Sequence, residues 1–225
     1  MSNKRVIGRF APSPTGYLHI GSVRTALFSW LYSKSYGGKC FLRLEDTDSE
    51  RSEKKYVDSI LETFEWLGIS FDQDPIYQSK NKKRYIEQIN NLVENNKAYY
   101  CQCSSERLME LREEQHKNGL KPKYDGKCRD LNLKPNSKQV IRFKNPKSGT
   151  VTFVDIVRGK IEVANEELDD LILVRNYGSP TYNLCVVVDD VDMGVTHIIR
   201  GEDHINNTPR QLNILTALKE NLPQY

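Results

Sequence analysis

The stretch Arg9-Phe-Ala-Pro-Ser-Pro-Thr-Gly-Tyr-Leu-His-Ile-Gly-Ser-Val-Arg24 constrains the fold of this chain more than any other. Before it stands a short apolar run, Val6-Ile-Gly-Arg-Phe10, that reads as a strand. After it, Val23, Ala26, Leu27, Trp30 and Leu31 recur at helical spacing. A helix is therefore expected over 22–36, stopping at Gly37-Gly38. Its start at Ser22 would aim main-chain N–H groups past the end of the strand, where anions are favoured. Pro12 and Pro14 fix the turn between the two elements, and Gly16 lets a ligand approach the main chain closely. His19 can hydrogen-bond phosphate oxygens from that turn. The pattern describes a nucleotide site made of backbone, small residues and one imidazole.

Strand and helix go on alternating. Phe41–Leu44 reads as a strand, and Tyr56, Ile60, Leu61, Phe64 and Leu67 line one face of a helix that ends at Gly68. Ser79 is placed to cap a third helix, with Tyr85, Ile86, Ile89, Leu92 and Val93 inward. This is the order of an α/β domain with a mainly parallel sheet. From 99 to 135 the chain turns polar and carries three of its five cysteines. Residues 139–175 look antiparallel, with strands over 140–143 and 150–154 and Asn145-Pro-Lys-Ser-Gly149 as the turn between them. A strand over 196–200 and a helix opened by Pro209, with Leu212, Leu215 and Leu218 inward, bring the α/β pattern back. Cys185–Val188 fits strand or helix equally. Trp30 and Trp66 fall on apolar helical faces and read as core, and His197 as structural.

The chain resembles a known family at several points. His19-Ile-Gly-Ser22 and its flanks resemble the His-Ile-Gly-His signature of class I aminoacyl-tRNA synthetases, in the form found in glutamyl-tRNA synthetases. The fourth signature position is Ser22 rather than His, and small residues suit it in the glutamyl branch. The resemblance covers essentially the whole chain. It implies an α/β, Rossmann-like fold whose mainly parallel nucleotide-binding sheet is interrupted by an α+β insertion domain that guides the acceptor end of tRNA. The expected division is 1–98 and 185–225 for the two halves of the catalytic domain and 99–184 for the insert. The implied activity is glutamate activation by ATP and transfer of the glutamyl group to tRNA(Glu), with Mg²⁺ assisting.

On that reading His19, Gly21 and Ser22 are the catalytic signature. Pro12, Thr15, Gly16, His19 and Gly21 meet ATP, together with Glu202, Asp203 or His204 in the Arg200-Gly-Glu-Asp-His204 run. A substrate with a side-chain carboxylate calls for guanidinium partners. Arg9 and Arg200 both stand at the carboxyl ends of predicted strands, where open α/β sheets bind ligands. Glu45 can accept from the substrate ammonium, and Ser13 and Tyr182 supply hydroxyls. The family's glutamate contacts fall in four contexts present in this chain, at Arg9-Phe-Ala-Pro-Ser13 (Ala11 included), Arg43-Leu-Glu-Asp-Thr-Asp48, Pro180-Thr-Tyr182 and Ile199-Arg-Gly-Glu-Asp203. The alternative is that Arg9 and Arg200 are solvent-facing charges. Glu45-Asp-Thr-Asp48 could also bind magnesium or cap the next helix. The preferred division gives Glu45 to substrate, Asp46 to structure, and Asp48 with Arg51 to the tRNA terminus.

Cys101-x-Cys103 with Cys128 has zinc-ligand character, but zinc prefers four ligands. Tyr124 and Asp130 are the candidates for the fourth, with His116 a weaker one. One family pattern places a His two residues after the third Cys, where this chain has Asp130. Another uses Tyr-x3-Cys, which Tyr124 and Cys128 match. Three ordinary thiols without metal is the alternative.

Composition narrows the remaining classes. A net charge of +3 and a pI near 8.5 allow a nucleic-acid partner without demanding one. No apolar run approaches ~18 residues, so no membrane span is expected. The N-terminus has no signal-peptide pattern and a reducing compartment suits the cysteines, so cytoplasm and a monomer are expected. There is no nucleophilic triad. The family's second signature, a Lys-Ser-Lys type loop, and its anticodon-binding domain do not occur in the sequence. The chain therefore reads as the N-terminal catalytic part of a longer enzyme with little activity alone. The alternatives are a glutamyl-queuosine tRNA(Asp) synthetase and a non-catalytic module for glutamate or tRNA acceptor ends.

Overall fold

A computed structural model describes residues 5–48, 51–137 and 139–225. Strands β1 (Ile7–Phe10), β2 (Lys39–Leu44) and β3 (Ile76–Tyr77) form a parallel sheet in that order, with Arg9 beside Phe41. Helices α1 (Ile20–Ser35) and α2 (Lys54–Trp66) make the two crossovers. A short 3-10 turn, Gln78–Asn81, leads into α3 (Lys82–Glu94). Phe10, Ala26, Leu42, Leu44, Ile60, Phe64 and Ile69 form the core beneath this sheet.

Helix α1 begins two residues earlier than the spacing predicts, because His19 is its N-cap. The face it buries also differs. Ala26, Ser29 and Ser33 point inward, while Leu27, Phe28 and Leu31 are left exposed. The reason is proximity. A Cβ on Gly8 of β1 would lie 2.5 Å from Ser33 Oγ, and one on Gly38 would lie 1.9 Å from the Val6 carbonyl oxygen. Helix and strand approach so closely that small residues must fill the contact, and the hydroxyls of Ser29 and Ser33 are satisfied by the carbonyls of Arg9 and Ser29.

Other expectations are corrected for local reasons. Ser79 does not cap α3; its N–H and hydroxyl both donate to Asp46, at 2.8 and 2.6 Å, which makes Asp46 structural. Ile86 is exposed, and Trp66 is 84% exposed at the end of α2, although both lie on helical faces that look apolar. Trp30 is half-buried and donates to the Ser70 carbonyl.

Strands β4 (Ala98–Cys101), β5 (Val140–Phe143) and β8 (Ile172–Val174) form an antiparallel sheet in the order β4-β5-β8. Helix α4 (Ser105–Lys117) follows β4 and is capped by the Ser104 hydroxyl. Strands β6 (Thr150–Asp155) and β7 (Gly159–Ala164) form a separate hairpin. The antiparallel character is as expected, but 140–143 and 150–154 are not partners: Asn145–Gly149 connects two sheets rather than closing a hairpin.

Residues 185–188 are helical, in α5 (Tyr182–Asp192), which is buried from Leu184 through Asp190. Helix α6 (Thr208–Leu218) carries Pro209 in its first turn, as expected. The segment 196–200 is not a strand. Ile7 N–H donates to the Thr196 hydroxyl instead of a carbonyl, the N–H groups of Thr196 and His197 both converge on the Ile7 carbonyl, and among the described residues the one bridge made by the segment is the parallel His197–Gln224. The largest core joins Phe143, Val151 and Phe153 to Leu184, Leu212 and Ile214, so the antiparallel part is packed directly onto α5 and α6.

Candidate active site

Beyond the carboxyl ends of β1 and β2 the chain opens into a cleft of about 710 Å³. The Glu45 N–H donates to the Pro12 carbonyl at 2.9 Å, tying the loop after β2 to the turn after β1. From the first turn, Ala11, Pro12, Ser13, Thr15 and Gly16 line the cleft, and from the start of α1 come His19, Gly21 and Ser22. Glu45 forms part of the wall, Tyr182 enters from α5, and Arg9, Arg200, Asp203 and His204 complete it. Residues scattered from 9 to 204 in the sequence therefore meet in one place.

The imidazole of His19 serves the helix as well as the cleft. Its Nδ1 accepts from the Gly21 N–H at 3.1 Å and its Nε2 lies 3.0 Å from Ser22 Oγ. With Nδ1 as acceptor, the neutral ring carries its proton on Nε2 and donates it to the serine. The N–H groups of Ser22 and Val23 return to the His19 carbonyl, so this helix end has fewer unengaged donors than a start at Ser22 would have left.

Charge is arranged in two tiers. The deeper tier joins two groups that line the cleft, Arg9 and Glu45, to Arg43, Asp189 and Asp190, which do not. Arg9 is 4% exposed, and its Nε donates to Asp190 Oδ1 at 3.0 Å. The same oxygen accepts from Arg43 Nη1 at 2.5 Å, and Arg43 Nη2 reaches Glu45 Oε1 at 3.3 Å. Arg43 is fully buried, and its Nε sits 3.9 Å from Asp189, which accepts from Gln78, Asn81 and Tyr85. Burial opposes the Arg43 charge, but Asp190, Glu45 and Asp189 outweigh it and hold the guanidinium above its ordinary value. Burial alone would raise the Asp190 carboxyl; Arg9 and Arg43 overcome it and hold the group below the usual carboxylate range. Glu45 stays raised by burial, against the pull of Arg43 and Arg9.

The upper tier faces the cleft. Arg200 donates to Gln211 and Thr208 of α6, at 2.8 and 2.7 Å. Burial and then the nearby Arg9 lower its pKa from the ordinary value. Two guanidinium groups that disfavour each other's charge are relieved by an anion placed between them. The Tyr182 hydroxyl lies 3.2 Å from His204 Nδ1, and burial raises its pKa, so it presents a neutral hydroxyl.

Three predicted groups lie elsewhere. Glu202 does not line this cleft: it pairs with Arg158 beside the neighbouring apolar groove and is highly exposed. Asp48 and Arg51 pair with each other at 2.7 Å, and Asp48 borders a different hollow, with Lys82 and Arg175. Sequence reasoning missed Arg24 and Asn207 in the cleft wall and the whole buried tier of Arg43, Asp189 and Asp190. One signal was present: two adjacent carboxylates directly after the apolar run Cys185–Val188.

The cysteines form a second centre. The sulfurs of Cys101, Cys103 and Cys128 all lie within 4.8 Å of one another. The Tyr124 hydroxyl is 3.3 Å from Cys101 Sγ and 3.5 Å from Cys103 Sγ, and it accepts from the Cys128 N–H. Asp130 is turned outward to an ion pair with Lys144, and His116 is exposed on α4, so neither joins the cluster. Burial, with the Cys128 and Cys101 sulfurs adding to it, pushes the Cys103 thiol up to about 11. Burial acts on Cys101 too, but hydrogen bonds from Tyr124, the Cys103 main chain and Arg142 bring it below its ordinary value. Three soft donors and an oxygen at these separations have the chemistry of a closed zinc site.

A family model described as the catalytic domain of class I tRNA synthetases (E and Q) matches residues 5–225. The glutamate–tRNA ligase of Francisella tularensis subsp. novicida is 58% identical over 219 residues, covering 96% of this chain and 47% of that protein. That of Nitrosospira multiformis is 56% identical over the same shares. A crystal structure of a glutamate tRNA ligase from Elizabethkingia meningosepticum in complex with its amino acid superposes with a TM-score of 0.89 at 34% identity, covering 98% of this chain and 48% of that one. Glutamate-tRNA synthetase from Elizabethkingia anophelis gives 0.88 at 34% identity. The chain thus spans about half the length of the relatives it matches. With nearly its whole length matched, and its parallel sheet opening onto a cleft walled by the His19–Ser22 turn, the chain belongs to the catalytic-domain family of the class I tRNA synthetases for E and Q.

Proposed function

We propose that this chain is the part of a glutamate–tRNA ligase that binds glutamate and ATP and forms glutamyl-adenylate. The observation that carries the reading is the placement of Arg9 and Arg200 with Glu45 and Tyr182 in the same cleft as the His19–Ser22 turn. The two guanidinium groups suit the side-chain carboxylate, and Glu45 suits the ammonium. The α-carboxylate then attacks the α-phosphorus of ATP and pyrophosphate leaves. Pro12, Thr15, Gly16, Gly21 and the Nε2 edge of His19 line the part of the cleft suited to the nucleotide, and Asp203 suits its ribose. Catalysis on this reading is positioning and charge stabilisation. Mg²⁺ would enter with the ATP phosphates.

The ribose of the tRNA(Glu) acceptor end takes the glutamyl group in the second step. Residues 99–184 are proposed to guide that end between the catalytic halves 1–98 and 185–225, with Asp48 and Arg51 on its path. A monomer is proposed. No described helix is long and apolar enough to cross a membrane. Five free cysteines support a reducing, cytoplasmic setting. Calorimetry with a non-hydrolysable glutamyl-adenylate analogue tests the reading. One saturable site is expected, with the glutaminyl counterpart bound at least ~10-fold more weakly. Equal affinity for the two, or no binding, refutes it.

Cys101, Cys103 and Cys128 would hold one structural zinc with Tyr124 as fourth ligand. Protein purified without chelator is expected to contain about one zinc per chain, and stripping it is expected to lower the melting temperature, because metal binding is coupled to folding. Metal-free protein that melts identically with and without chelator refutes the site.

A further inference from the structure

The cleft wall is indexed by one buried helix. Asn183 and Asp190 of α5 are seven residues apart, two helical turns, and so lie on the same face. Each is tied to one of the two cleft arginines. Asp190 accepts directly from Arg9 Nε. Asn183 accepts from Gln211 Nε2 at 3.0 Å, and Gln211 accepts from Arg200 Nη1 at 2.8 Å. Nε is the only atom of the Arg9 guanidinium with a hydrogen-bond partner among the described residues, although Arg9 lines the cleft. Its Nη1 and Nη2 groups remain for a ligand. A guanidinium held by Nε cannot rotate about its long axis, and bidentate recognition requires that its plane be set. The same Asp190 oxygen holds Arg43, which in turn holds Glu45.

We propose that Asp190 is the positioning residue of the amino-acid pocket: by binding Arg9 Nε and Arg43 Nη1 through one oxygen, it sets the arginine that recognises the side-chain carboxylate and the glutamate that recognises the ammonium in one frame. This rests on the glutamate pocket proposed for the cleft. Asp190 touches no substrate; it acts through Arg9 and Glu45. The consequence is that it governs selectivity as well as affinity. Loss of its charge frees the Arg9 plane, and an arginine without a set plane distinguishes a carboxylate from an amide less well.

The test is calorimetry with the stable glutamyl-adenylate analogue and its glutaminyl counterpart on the wild-type chain, Asp190→Asn, Asp190→Glu, Arg9→Ala and the double variants. Both Asp190 variants are expected to weaken the glutamyl analogue at least tenfold and the glutaminyl analogue less, so that the ratio of the two affinities falls. In the Arg9→Ala background the same substitutions are expected to change the ratio of the two affinities by under threefold, because the loss that remains, through Glu45, falls on both analogues alike. A general loss of packing would weaken both analogues alike and would add fully to Arg9→Ala. Asp190→Glu keeps the buried charge and moves the carboxylate by one methylene, so it reports on position if Asp190→Asn does not fold. Wild-type selectivity in a folded Asp190 variant, or a fall in selectivity that adds to that of Arg9→Ala, overturns the proposal while leaving the pocket intact. Unchanged binding in folded Arg9→Ala overturns the pocket reading itself.

Discussion

Arg43→Ala is expected to cost about 3–5 kcal/mol of folding stability, the usual penalty for removing one partner of a buried ion pair. Arg43 is fully buried, with Asp190, Glu45 and Asp189 around it. Without it Asp190 keeps its ion pair with Arg9, while Glu45 and Asp189 lose theirs with Arg43. The loss should depend on pH. Asp190 has a lowered pKa in the fold, so its contribution is present above the ordinary aspartate value near ~3.9 and disappears as pH falls through the lowered one. The variant should lose much of this acid-side dependence, because one of the two cations that create it is gone. Urea unfolding at neutral and acid pH reads both effects. A loss below about 1 kcal/mol at neutral pH would show that the buried tier relaxes or takes in water, so that its carboxylates do not depend on Arg43.

Arg200→Ala and Arg9→Ala should each weaken binding of the glutamyl-adenylate analogue by about 2–4 kcal/mol, since each removes a charge-assisted contact in a partly desolvated pocket. Lysine at 200 should rescue poorly: Arg200 donates through two separate nitrogens, to Gln211 and Thr208, and an ammonium cannot reproduce that fork while also facing the cleft. Calorimetry on variants shown to be folded checks both. Unchanged affinity in both would place the pocket elsewhere. The glutaminyl analogue should suffer less than the glutamyl one, because its neutral amide gains less from a cation.

The site was more legible than its supports. Arg9 and Glu45 stand at the ends of β1 and β2, and a strand end is a local property, so their shared cleft followed from the logic of parallel sheets; Tyr182 at the start of α5 and Arg200 on a segment that is not a strand share it too, in contexts recognisable by motif rather than by strand order. The placement of Glu202 did not follow. Adjacent residues of a 3-10 turn, Glu202–Asn207, point in different directions, and Asp203 faces the cleft while Glu202 meets Arg158 from the β6–β7 hairpin. The choice between Tyr124 and Asp130 was likewise a matter of direction. Lys144, distant in sequence, holds Asp130 outside the cysteine cluster.

By itself the sequence determined the parallel α/β frame, the turn between β1 and α1, the polar insert with its cysteines and the family. These rest on periodicity, turn chemistry and motifs, which act between near neighbours along the chain. Only the tertiary structure decided which strands of 139–175 pair, which face of α1 is buried, and how the apolar run at 185–188 is used. Those depend on what the rest of the chain brings alongside. Gly8 and Gly38 let α1 come so close to β1 that serines, not leucines, face the sheet. Arg9 and Arg43 arrive beside α5 from more than a hundred residues away, and their charges are what allow Asp189 and Asp190 to be buried in that helix.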